Sequence, residues 1–412
     1  MKINVIIVLF LSIWGAVGSA IGSDKVKCTV TNPLNSMRKD EPVVIQIKDI
    51  QKVYSDYVGG YVSVYDGETE ICSQLDDLNN DGIWDELVFL TDLGPKQEKI
   101  FTVHINIPAD SKPLECVKEV HAQMFFYDKS QKKITPTLEA SSPSGNLYNQ
   151  LYHHGPAWET DKIGYRLYFD KKSTVDVYGK KKYRLELDST KWYPSAKQLS
   201  ESYGDDILWV GNSVGVGTLK GWNGKEALHI EPILNRTARI VIAGQLRTIV
   251  DMSVEGWQYD GQSLNVTARY IQYARHRDAT ARIIIEGSVL PGNIDFCTGV
   301  QKVRKSRTYS EKDGLLAVWG SEYPSPDSVR FAKETFGLGV IVPRKNIKQQ
   351  ATDDLNHLFV ITNKKKPVME YTITAAAEKE EEGYKSADEF FAYMKELKEL
   401  VRNPIKVKLG KM

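Results

Sequence analysis

The chain has 412 residues, with 54 Lys and Arg against 53 Asp and Glu and a formal net charge of +1 at pH 7. That balance excludes nucleic acid and an anionic membrane surface as main partners, because both need a marked basic excess. An aromatic fraction of 10%, including 21 Tyr and 8 Trp, suits sugar stacking but equally suits ordinary strand formation.

The first residues read as an export signal. Lys2 is followed by a mostly apolar run over residues 4–17, too short for a membrane span, and Gly18-Ser19-Ala20 offers cleavage after Ala20. No Cys follows where a lipid anchor would need one, since Cys28 comes several residues too late. No later stretch is long and apolar enough to span a bilayer, so a periplasmic or secreted protein is expected. An oxidising address permits disulfides among Cys28, Cys72, Cys116 and Cys297. Cys28 and Cys116 flank the first domain and form the favoured pair, with buried free thiols as the alternative.

Residues 24–120 show short β-branched and aromatic runs of period two, such as Val43-Val44-Ile45 and Tyr61-Val62-Ser63-Val64-Tyr65, separated by Gly59-Gly60 and Asp66-Gly67. This pattern predicts a small antiparallel β-sandwich. Within it, Asp77, Asn79 and Asp81 alternate before Gly82, and Asp85 follows. With the Ile83 carbonyl, that set fits the first half of a calcium loop, and a structural ion is expected there. A full EF-hand is excluded because its closing position falls on Val88. The competing reading is a turn in which Asx side chains cap backbone amides.

Residues 121–150 are rich in Pro, Ser and Gly turns and read as a connector. From residue 151 to about 375 strand patterns recur without intervening helices, among them Tyr183-Arg184-Leu185-Glu186-Leu187 and Ala281-Arg282-Ile283-Ile284-Ile285. Such a series predicts a large antiparallel supersandwich over residues 151–410. Ser386-Ala387-Asp388-Glu389 has capping-box form, and Phe390, Phe391, Met394, Leu397, Leu400 and Val401 keep helical spacing up to Asn403-Pro404. The fold class is therefore all-β, with a C-terminal helix.

Chemistry concentrates in Tyr152-His153-His154-Gly155-Pro156-Ala157-Trp158-Glu159 and in Tyr165-Arg166-Leu167-Tyr168. In extended backbone one imidazole would face a cleft and the other the sheet. A cleft-facing His154 is the candidate base, with His153, Trp158 and His276 as candidate sugar contacts. Arg166 or Lys180 would neutralise a sugar carboxylate, and Tyr165 or Tyr168 would protonate a leaving oxygen. Alternation sets Tyr165 and Arg166 on opposite faces. Gly204-Asp205-Asp206 supplies candidate acids, and Gly211, Gly215 and Gly217 suggest a loop needing positive φ near a ligand. No Gly-x-Ser-x-Gly elbow, P-loop, His-Glu-x-x-His or dinucleotide fingerprint appears, and no organic cofactor is expected.

In their order, Asp81-Gly82 with Asp85-Glu86-Leu87, His154-Gly155 with Glu159, Tyr165-Arg166-Leu167-Tyr168-Phe169-Asp170, Asp176-Val177-Tyr178-Gly179-Lys180 and Gly204-Asp205-Asp206-Ile207-Leu208 resemble the DUF4861 family of exported proteins, known chiefly from Bacteroidetes polysaccharide-utilisation loci. Trp209 stands where that family usually carries Lys. The resemblance covers nearly the whole mature chain. It implies a galactose-mutarotase-like supersandwich and an acidic poly- or oligosaccharide partner, and it carries no established mechanism. Three activities follow as expectations. One is a lyase acting by β-elimination. Another is a hydrolase using Glu159 and Asp205. The third is a non-catalytic binding protein with Trp158, Trp222 and Trp257 as platforms.

Overall fold

A computed structural model describes residues 24–412 except 58, 108–113, 287–293 and 365. The expected export signal and its cleavage after Ala20 lie outside the described residues. Among those described, no helix is long and apolar enough to cross a membrane.

The N-terminal sandwich forms as its alternation dictates. In Asp24–Thr31 the residues Val26, Cys28 and Val30 point inward and are fully buried. They meet Val43 and Ile45 of Arg38–Gln46 and Phe101 and Val103 of Glu98–Ile105 in one core. Each such side chain contributes about 1.5–3 kcal/mol on leaving water. One sheet has five strands and the facing sheet has three. The edge of the five-stranded sheet comes from the far end of the chain. Lys406–Lys411 pairs antiparallel with Asp24–Thr31, so this strand leaves the large domain to which the sequence pattern assigned it.

The large domain packs a nine-stranded antiparallel sheet against two five-stranded sheets, all sharing a single core. The expected connector is built into this domain. Val120–Gln123 edges one five-stranded sheet, and Glu139–Ser142 edges the nine-stranded one. Gly215 ties the two five-stranded sheets together through bridges Val175–Gly215 and Val216–Val300. A Cβ there would lie 2.2 Å from the Val175 carbonyl oxygen, at a φ of 54°. Its glycine serves sheet junction, not the ligand loop read from sequence. The helix Ala387–Arg402 lays Phe390, Phe391 and Met394 over Leu315, Ala317 and Trp319 of the nine-stranded sheet. The Ser386 side chain accepts the Glu389 amide, while the Glu389 carboxylate accepts from Lys385, one residue short of a full capping box.

The disulfide joins Cys72 to Cys116, with Cα atoms 5.7 Å apart. This corrects the pairing favoured from sequence. Cys28 faces the sandwich core, where burial pushes its thiol up to about 12. The bond closes 44 residues, a loop for which chain entropy gives about 4 kcal/mol. Replacing both Cys72 and Cys116 by Ala should lower the unfolding free energy by up to that amount in urea titrations. The variant should also lose the wild-type sensitivity to dithiothreitol.

In the Asp-rich turn, Asp77 accepts the amides of Asp81 (3.2 Å) and Gly82 (2.8 Å). Asn79 also accepts from Asp81 (3.0 Å), Asp81 accepts from Ile83 (2.8 Å), and Asp85 accepts from Leu78 (2.7 Å). Calcium loops and metal-free Asx turns share this closure. Among the described residues no group of three or more His, Cys, Asp or Glu gathers as a metal cage.

One turn of the large domain docks against the first domain. Arg275 pairs with Asp40 and Glu119, and His276 reaches the Asp40 carbonyl through Nε2 (2.9 Å) and Asp278 through Nδ1 (3.2 Å). His276 is thus a docking residue, not the sugar contact expected from sequence. Burial opposes its charge, but Asp278 and the Asp40 carbonyl outweigh this and push it up to about 9. The folded state holds the proton more tightly than the unfolded chain. Stabilisation is therefore full below about pH 6.5 and is lost as pH rises through about 9, at most about 3 kcal/mol. Urea midpoints of wild type should fall across that window, and those of His276→Gln should fall less.

Candidate active site

Three adjacent strands position the candidate residues. Ala157–Thr160, Ile163–Leu167 and Val175–Gly179 pair so that Trp158 lies opposite Tyr165, and Arg166 lies between Ala157 and Asp176. Alternation sends Trp158, Tyr165 and Val177 into the domain core. Glu159, Arg166, Asp176 and Lys180 go to the outer face, which residues 181–204 cover through Leu187 and Trp192.

That cover explains several departures from the sequence reading. The Glu159 carboxylate accepts the amides of Glu186 (2.9 Å) and Leu187 (2.7 Å) and pairs with Lys180; both side chains are fully buried. Amides that alternation assigned to a strand at residues 183–187 are thereby taken by a side chain, and a short helix, Leu187–Thr190, follows instead. Lys180 also donates to the carbonyls of Thr160 and Arg184. Neither Glu159 nor Lys180 is left for a substrate, which removes the Glu159–Asp205 hydrolase pair. Tyr165 is buried, with its hydroxyl on the Arg277 carbonyl (2.7 Å). Trp158 and Trp257 are both wholly buried, so neither is a stacking platform.

The two imidazoles part through a turn, not through extended backbone. Tyr152–His154 is a 3-10 turn in which His153 and His154 have φ of 44° and 69°. It ends at Gly155, where a Cβ would lie 1.8 Å from the Leu167 carbonyl oxygen. His153 turns inward beside Phe125 and Trp192, where burial and nearby Arg166 hold it down at about 3. This residue is packing, not a sugar contact. His154 turns outward, stacked 3.9 Å from the Tyr148 ring. Its Nδ1 lies 2.8 Å from the Tyr148 carbonyl, an acceptor, so Nδ1 carries the proton and Nε2 the lone pair. Burial pushes its pKa down to about 4, against the opposing pull of that carbonyl, and the ring is neutral at ordinary pH.

Beside His154 lies a buried guanidinium. Arg166 donates to Asp176 through Nε (2.9 Å), to Asp206 (2.7 Å) and the Tyr168 hydroxyl (2.7 Å) through Nη2, and to the Tyr193 hydroxyl (3.1 Å) through Nη1. With every nitrogen engaged, Arg166 organises its neighbours and does not itself receive a sugar carboxylate. The Tyr168 hydroxyl donates to Asp176 (3.0 Å). Tyr193 has no such acceptor among the described residues and is 44% exposed. Burial and the Asp206 charge push Asp176 upward despite Arg166. Asp205 faces away from Arg166, and burial raises it to about 6. Lys172 completes the rim, 4.9 Å from the Tyr168 ring and 5.5 Å from the Tyr148 ring.

The family model described as "Domain of unknown function (DUF4861)" matches residues 30–407. This chain belongs to the DUF4861 family. Two solved structures from Enterococcus faecalis resemble the DUF4861 chain at low identity. A protein in the glycosyl hydrolase family 38 gives 8% identity and a TM-score of 0.46, over 94% of this chain and 48% of that one. An alpha-mannosidase from strain V583 gives 9% and 0.45, over 94% and 47%. The chain thus spans about half the length of each. No curated protein matches it.

In this DUF4861 protein the fold brings together His154, Arg166 and Tyr168 from the sequence reading. It adds Tyr148, Lys172, Trp192 and Tyr193, which that reading missed. Asp176 and Asp206 lie inside noted motifs, but only the fold makes them partners of one arginine. No local pattern marks Tyr148 or Tyr193, since both sit in irregular loops; only their aromatic character in a polar segment hints at a role.

Proposed function

We propose that this protein is an exported lyase that cleaves uronic-acid-containing poly- or oligosaccharides by β-elimination. One observation carries the proposal: His154 and Lys172 flank the Tyr168 ring, and Arg166 joins the Tyr168 hydroxyl to that of the exposed Tyr193. His154 Nε2 removes the proton α to the sugar carboxylate. The freed electron pair forms the carbon–carbon double bond, and the glycosidic carbon–oxygen bond breaks. Tyr193 gives its proton to the departing oxygen, and Arg166 stabilises the phenolate that remains. Solvent then carries the proton from His154 back to Tyr193. Lys172 opposes the charge that builds on the carboxylate. The Tyr148 and Tyr168 rings offer faces for the apolar side of a pyranose. The disulfide supports an oxidising, extracytoplasmic address.

The test is incubation of the protein with uronate glycans while the ultraviolet absorbance of the unsaturated product is followed. Absorbance that grows with wild type and is abolished in His154→Ala supports elimination. Release of reducing ends without absorbance points to hydrolysis, and binding with neither signal points to a recognition protein; both overturn the proposal.

A further inference from the structure

A second open cavity, of about 700 Å³, lies across the turn at Asp170–Ser173 from the site above. Trp222, Tyr259 and Leu228 give it an apolar and aromatic wall, and His229, Glu231 and Asp260 give it a polar rim. It adjoins the first site through Lys171, which pairs with Glu231 (3.1 Å) and whose carbonyl accepts the Ile230 amide (3.2 Å).

One wall is built with care. Lys220 is buried and reaches three acceptors: the Lys172 carbonyl, the Thr174 hydroxyl (3.4 Å) and His229 Nδ1 (3.1 Å). Burial holds Lys220 down at about 7, so below that pH its three ammonium hydrogens meet three acceptors, His229 Nδ1 receives a hydrogen bond and the His229 proton sits on Nε2. That leaves the Nε2 hydrogen as a fixed donor on the partly exposed edge of the ring. Burial and the Lys220 charge hold His229 at about 4, so it is an uncharged donor. The tyrosine wall is equally fixed. The Tyr259 hydroxyl is held by the Trp222 backbone, and its ring stacks 4.4 Å from Trp257.

Charge decides the ligand. The rim carries the carboxylates of Glu231 and Asp260, and the nearby ammonium of Lys171 is already paired with Glu231. Lys171 is paired with Glu231 and Lys220 spends its hydrogens on the wall, so neither is free to pair with a uronate carboxylate, which would also face Asp260. A neutral sugar instead gains ring contact, the His229 donor and carboxylate acceptors for its hydroxyls. We propose that this cavity is a second carbohydrate site, selective for neutral saccharides and distinct from the His154 cluster.

The experiment uses the full-length protein with ¹⁵N-labelled histidine, titrated with neutral trisaccharides of glucose, galactose and mannose and, separately, with trigalacturonate. At least one neutral trisaccharide should shift the His229 Nε2 resonance saturably. His229→Ala should weaken its binding about tenfold, the effect of one lost hydrogen bond. Leu228→Lys, which places a long charged side chain in the partly exposed wall, should abolish binding. The proposal is overturned if no neutral trisaccharide shifts His229, if trigalacturonate alone does so, or if both variants bind as wild type does. Ultraviolet product formation at the His154 cluster is read separately, so failure of either proposal leaves the other standing or falling on its own result.

Discussion

Arg247→Met should lower the unfolding free energy by about 3–5 kcal/mol, the usual effect of stripping one partner from a buried ion pair. Arg247 and Asp76 are each about 2% exposed, and they join the two domains. Arg247 donates to Asp76 through Nε (2.8 Å) and lies 2.7 Å from Glu86. Gln74 locks the same junction by accepting the amides of Leu246 (2.8 Å) and Arg247 (3.1 Å) and donating to Asp76 (2.6 Å). Burial pushes the Asp76 carboxyl up and Arg247 pulls against it, so without the guanidinium it should be pushed up further. Coulomb attraction does not set the magnitude. The cost comes from leaving a carboxyl and its oriented neighbours in a dry interface. Urea titration of Arg247→Met, Asp76→Asn and the double variant forms a cycle. The double variant should lose less than the two single losses summed. A single-variant loss below about 1 kcal/mol would show that water reaches the junction and screens it.

Tyr193→Phe should reduce kcat for uronate elimination by about 10²–10⁴-fold with little change in KM, the range for loss of a general acid. The ring is retained, so stacking survives, and the loss of stability is confined to the one hydrogen bond from Arg166 Nη1, about 1 kcal/mol. The matching change at Tyr168 should behave differently. Tyr168 is 7% exposed and sits between Arg166 and Asp176, so Tyr168→Phe leaves buried polar groups unmet and lowers stability as well as rate. The pH profile supplies a second check. His154 must be neutral to act, and its pKa is near 4. In wild type kcat/KM should therefore rise as pH passes about 4 and stay level through neutrality. An optimum that falls away below about pH 6.5 would assign the base to a different group. Unchanged kcat in Tyr193→Phe would remove Tyr193 as the acid.

Much of the architecture is legible in the residue pattern alone. Period-two runs identify the strands because one face of each is buried, as Val26, Cys28 and Val30 show. The helix at the C-terminus announces itself through Ser386 and the Phe390–Met394 spacing. What local pattern misses depends on pairing. The terminal strand Lys406–Lys411 completes the first domain, and its own alternation of Lys with Val and Leu says nothing about which sheet it joins. Cysteine pairing is hidden likewise, because sequence order does not reveal that Cys72 and Cys116 are neighbours.

By itself the sequence determined the all-β class, the opposite facing of Arg166 and Tyr165, and the concentration of reactive groups near residue 154. Those properties follow from local periodicity and side-chain chemistry. Only the tertiary structure decided which reactive groups remain available. Glu159 and Lys180 neutralise each other under the cover of residues 181–204, Trp158 and Trp257 fill cores, and His276 binds the neighbouring domain. His154 and Tyr193 stay open to solvent because they lie at the edge of that cover. Burial and partner choice are properties of packing between segments far apart in the chain, and no window of sequence contains them.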